Sequence, residues 1–71
     1  MKKYFDIHCD FSDDCTSYSI FAEITTNKTK LSKAEVIDFC VKNNLFSETG
    51  DEAYVDKITQ ITKKEYNQLI K

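Results

Sequence analysis

Two runs of strict alternation constrain this chain more than anything else in it. In KYFDIHCDF, residues 3–11, Phe5, Ile7, Cys9 and Phe11 fall on one side and Tyr4, Asp6, His8 and Asp10 on the other. In SYSIFAEIT, residues 17–25, Tyr18, Ile20, Ala22 and Ile24 form the apolar set, opposed by Ser19, Phe21 and Glu23. Period two is the mark of half-buried strands, because successive side chains leave a strand on opposite faces. The polar stretch SDDC, residues 12–15, makes the two runs a hairpin. A slip of one residue would send one strand's whole apolar set into water, so the apolar sets must share a face. The predicted pairs are Phe5 with Ala22, Ile7 with Ile20 and Cys9 with Tyr18, which leaves a four-residue loop, a common hairpin length.

Two helix starts follow. Ser32-Lys33-Ala34-Glu35 and Thr62-Lys63-Lys64-Glu65 are both [ST]-x-x-E, the capping box that satisfies the first free N–H groups of a helix. The first predicts a helix from Lys33 to Asn44 with Val36, Ile37, Cys40, Val41 and Leu45 inward. The second predicts a closing helix with Tyr66, Leu69 and Ile70 inward. Between them, residues 47–53 (SETGDEA) form a loop and residues 53–61 (AYVDKITQI) are rich in strand formers. Val55, Ile58 and Ile61 are three apart, which a regular strand cannot place on one face. A bulge or cover on both faces is required.

The order β-β-α-β-α in 71 residues is one α+β domain. A crossover from the second strand leaves the third parallel to it. Placing the first strand between them makes both neighbouring pairs antiparallel and permits a right-handed connection. The expectation is a three-stranded antiparallel sheet, order 2-1-3, with both helices on one face and the other face open.

Size and charge bound the function. A domain this small buries only about 60% of its unfolded surface, and a pocket of ~300–1,000 Å³ needs walls it can hardly supply. A binding surface is the simpler kind of function. Net charge is −2 and all ten basic residues are lysines. Without the planar fork of arginine, and with an acidic balance, nucleic-acid binding is not expected. No apolar run approaches the ~20 residues of a membrane span. Residues 1–8 lack the apolar core of a secretory signal, and Cys9, Cys15 and Cys40 are an odd set without C-x-x-C. A cytoplasmic protein with reduced thiols fits these features.

The densest chemistry is IHCDFSDDC, residues 7–15. Zinc needs four converging ligands, but His8 and Cys9 point to opposite faces. Asp6, His8 and Asp10 share a face at steps of about 6.8 Å, too wide for a closed shell. Cys9 and Cys40 read as small core residues and Cys15 as a loop thiol. Nucleophilic catalysis by Cys15 would need a base and an oxyanion hole, but the lone histidine is on the outer sheet face, and there is no glycine-rich phosphate loop. Neither a catalytic site nor a cofactor nor a metal is expected. Phe21 and Phe39 fall outside the predicted core. Phe21 would lie among Tyr4, Asp6, His8, Ser19 and Glu23, an aromatic centre with an acidic rim. Aromatic enrichment is an interface signal, so Tyr4, Asp6, His8, Phe21 and Glu23 are the candidate interaction face, for a protein partner or for self-association.

The segment YVDKITQITKKEYNQLIK, residues 54–71, resembles the ending of small uncharacterised proteins of Gram-positive bacteria and their mobile elements, in which a strand runs into I-[ST]-x-x-E-Y and a short helix. The abundance of Lys, Ile, Asn, Asp, Phe and Tyr, all with AT-rich codons, agrees with such a source. The resemblance implies such a source and transfers no catalytic residue; the open face itself points to a small non-catalytic interaction or accessory module. The alternative is an acidic inhibitor or nucleic-acid mimic carried by a mobile element or phage.

Overall fold

The computed structural model describes residues 1–11 and 16–70. Its elements run β1 (Lys2–Phe11), β2 (Thr16–Thr25), α1 (Lys33–Lys42), a single 3₁₀ turn (Asp51–Tyr54), β3 (Val55–Ile61) and α2 (Lys63–Leu69). The hairpin loop expected over residues 12–15, with Cys15, lies outside the described residues. The sheet is three-stranded and antiparallel with order β2-β1-β3. The hairpin register is the one that matching apolar sets require: Phe5 faces Ala22, Ile7 faces Ile20 and Cys9 faces Tyr18.

The broken period of the third strand resolves in both of the ways open to it. His8 pairs with Lys57 but Cys9 pairs with Val55, so Asp56 is the extra residue of a β-bulge. The bulge shifts the phase and lets Val55 and Ile58 pack toward the same core. Ile61, opposite Tyr4, stays on the other face.

The core lies between α1 and the face carrying Phe5, Ile7, Ile20, Ala22 and Ile24, into which α1 inserts Val36 and Cys40. Ile7, Cys9 and Cys40 are fully buried. At about 25 cal/mol per Å² of apolar surface, Ile7 alone contributes roughly 1.5–3 kcal/mol. Ser32 caps α1: its Oγ accepts from the Glu35 N–H at 3.2 Å and its N–H donates to Glu35 Oε1 at 3.1 Å. Lys28 reaches the same carboxylate. That bond first, and the Ser32 N–H second, hold the Glu35 pKa below its ordinary value. Thr62 and Glu65 form the equivalent box on α2, with both backbone bonds at 3.1 Å.

Three packing expectations are corrected. First, α1 stops at Lys42, not Asn44, because Asn44 adopts a left-handed backbone (φ 55°). The chain turns there, so Leu45 and Val41 are exposed, while Phe46 and Phe39 pack against the core in their place. Phe39 is thus a core-packing residue and not a surface aromatic. Second, the two helices do not share a face. Tyr66 of α2 packs on Tyr4 with ring centroids 4.9 Å apart, and Tyr4 points away from the α1 core. Since β3 ends on Ile61, with its side chain on the Tyr4 face, the chain enters α2 on that side. Third, the face expected to be open is therefore covered at one end. Only Tyr66 of α2 is half-buried; Leu69 and Ile70 are about half exposed.

Among the described residues no helix is long and apolar enough to cross a membrane.

Candidate functional site

The register decides which side chains share the sheet face opposite α1. Tyr4 faces Glu23, Asp6 faces Phe21 and His8 faces Ser19 across one side of β1. Ile61, Thr59 and Lys57 lie across the other. Tyr4, Asp6, His8, Phe21 and Glu23 are thereby brought onto one face. Tyr4 is 8% exposed, lying beneath Tyr66, so it supports the face without being open to a partner. Asp6, His8 and Phe21 are half-buried and Glu23 is exposed. Phe21 belongs neither to the core cluster nor to the residues packed against it.

Charges on this face alternate in sign. Lys2 Nζ lies 3.3 Å from Glu23 Oε1, and His8 Nδ1 lies 3.8 Å from Asp56 Oδ2. Both pairs are solvated and each contributes roughly 0–1 kcal/mol, that of His8 only when its ring is protonated. Asp6 Oδ1 is occluded and accepts no hydrogen bond from the described residues. Asp56 is the extra residue of the bulge, next to Lys57, the partner of His8, which sets it beside the imidazole. The missing third-strand period was the sequence signal for that contact.

The reactive side chains lie on the other face. Cys9 and Cys40 are free thiols, fully buried in the core. Burial first, and the neighbouring Cys9 second, push the Cys40 thiol up to about 11. Burial likewise raises Cys9. The sheet separates both thiols from His8, whose cross-strand neighbour on the outer face is Ser19. Among the described residues no group of three or more His, Cys, Asp or Glu is placed to hold a metal ion.

A further arrangement was not legible in the sequence. Tyr18 donates to Asp51 Oδ2 at 2.7 Å and accepts from the Ser47 N–H at 3.3 Å, while the Glu48 N–H donates to Asp51 Oδ2 at 3.2 Å. Burial, then the bond to Asp51, push the Tyr18 phenol up to about 12. Phe11 stacks on Tyr18 at 5.6 Å and touches Tyr54 at 4.8 Å. This network ties the segment after α1 to the hairpin and is structural. Grooves flank α1, among them one of about 440 Å³ beside β3 over Phe5, Leu31 and Ile58, one of about 290 Å³ along Ile24, Leu31 and Phe39 and one of about 230 Å³ beside Cys40, Phe46 and Glu52.

No known protein family, curated protein or solved structure matches the chain.

Proposed function

We propose that the chain is a non-catalytic protein-interaction module that docks a partner on the outer sheet face through Asp6, His8, Phe21 and Glu23. The observation that carries this reading is Phe21. It is an aromatic ring outside the core, on a polar face, with a carboxylate directly across the strand. An apolar anchor ringed by charge is the usual anatomy of a small interface. The partner surface that fits has an apolar side chain for Phe21 beside a basic one for the Asp6–Glu23 rim. The interleaving of Lys2, Lys57 and His8 among the acids favours a protein surface over the uniform negative field of a nucleic-acid mimic. A cytoplasmic setting belongs to the same reading, since the free thiols of Cys9 and Cys40 suit a reducing compartment.

The test is capture from a cell extract with the purified chain as bait. A specific partner should be lost with Phe21→Ala and with His8→Ala, yet retained by Val41→Ala on α1. If the same protein is captured by all four baits, the face assignment fails.

A further inference from the structure

Sheet edges in natural proteins are blunted by lysine, proline, bulges or covering segments, because an unpaired edge is a template for another strand. The β3 edge has such devices: the Asp56 bulge and Lys57. Among the described residues the β2 edge has no bulge and no lysine, and Glu23 is its one charged side chain. The edge runs ten residues from Thr16 to Thr25 without proline or glycine, and its pairing to β1 has no register shift.

Which backbone groups are free follows from the alternation of an antiparallel ladder. The Thr26 N–H donates to the Met1 carbonyl at 2.9 Å. That bond extends the hairpin register by one pair, so the even-numbered residues of β2 are those bonded to β1. The odd-numbered residues Ser17, Ser19, Phe21, Glu23 and Thr25 turn their N–H and C=O groups outward. No loop or cap bond among the described residues involves them.

We infer that this edge pairs antiparallel with the same edge of a second copy, about a two-fold axis at Phe21, giving a continuous six-stranded sheet. This goes beyond the proposed function, because it uses the backbone edge of β2 and not the outer face. The five outward residues are themselves centred on Phe21. A two-fold axis there opposes Ser17 to Thr25, Ser19 to Glu23 and Phe21 to Phe21, so every outward N–H and C=O finds a partner. Moving the axis to Ile20 or Ala22 leaves one outward residue of each copy facing no strand residue. Moving it to Glu23 opposes two carboxylates, which is unfavourable. The Phe21 axis also sets Ile20 against Ala22 and Tyr18 against Ile24 on the core side, like with like. It gives the half-exposed Phe21 ring an apolar neighbour. An edge contact about 30 Å long and one sheet thick lies at the low end of interface sizes, so the dimer forms reversibly with concentration.

Sedimentation velocity from low micromolar to near-millimolar protein tests this. The wild type should pass reversibly from monomer to dimer. In the dimer, amide exchange should slow at Ser17, Ser19, Phe21, Glu23 and Thr25. Ser19 is exposed, so its variants keep the fold, which circular dichroism verifies. Ser19→Lys sets a cation opposite Glu23 of the second copy twice per dimer and should tighten association by about tenfold; Ser19→Glu should weaken it by a similar factor. His8→Ala, which tests the outer face, should leave the dimer unchanged. A chain that stays monomeric at every concentration overturns the inference. So does a dimer in which the two Ser19 variants fail to move in opposite directions, or in which those amides stay unprotected.

Discussion

Replacing Ile7 by alanine should remove a large part of this protein's stability. Ile7 is fully buried on the central strand, with Ile20 across one side and Ile58 across the other. The change deletes three carbons, worth about 2.4 kcal/mol at ~0.8 kcal/mol per buried methylene. The space cannot collapse easily, because hydrogen-bonded strands hold Ile7 on both sides and α1 closes the top. A cavity contribution therefore adds to the loss, and we expect about 3–4 kcal/mol, within the range of large-to-small core changes. A domain of this length has a stability on the order of 4–11 kcal/mol. Equilibrium urea unfolding is the assay. With a slope near ~1 kcal/mol/M, the midpoint should fall by about 3 M. Ile7→Val should cost only about 1 kcal/mol. The neighbouring His8→Ala, on the outer face, should stay within ~0.5 kcal/mol. If His8→Ala costs as much as Ile7→Ala, the faces of β1 are reversed and the register argument is wrong.

Other consequences follow from the caps, the phenol and the thiols. Ser32→Ala should lower global stability by about 1 kcal/mol. Thr62→Ala should mainly loosen α2, which Tyr66 fixes to the sheet, seen as faster amide exchange at Tyr66 and Ile70 with little change in the global unfolding midpoint. Because the folded Tyr18 phenol is raised to about 12 from an ordinary 10, its contribution is complete below pH 10 and is lost as pH rises through 10 to 12. The stability difference between wild type and Tyr18→Phe should therefore shrink across that window; a difference that is flat or grows there refutes the assignment. Cys9 and Cys40, buried and with raised pKa values, should resist iodoacetamide at pH 8 in the native protein and react once it is unfolded, as peptide mapping would show.

The hairpin was legible because its information is local and periodic. Alternation assigned the faces of β1 and β2, and the apolar sets admitted one register. The capping boxes at Ser32 and Thr62 marked both helix starts for the same reason: the donors and acceptors lie three residues apart. The end of α1 was not legible. Helical spacing continues through Leu45, while the left-handed backbone at Asn44 redirects the chain. The side taken by α2 was hidden too. Apolar residues at 66, 69 and 70 are compatible with either face, and the choice was made by the phase of Ile61 after the bulge. Alternation placed Asp6, His8, Phe21 and Glu23 together, but it could not show that Tyr66 would cover Tyr4. The Tyr18–Asp51 bond joins residues 33 positions apart, with no pattern in the sequence to announce it.

Docking on the outer sheet face, as proposed, can be read residue by residue. Its most direct test is an amide chemical-shift titration of the labelled chain with the partner that the Phe21→Ala and His8→Ala baits fail to capture. Shifts should concentrate at Asp6, His8, Ser19, Phe21 and Glu23. Shifts concentrated instead along the α1 grooves, at Leu31, Val36, Val41 and Phe46, would contradict it.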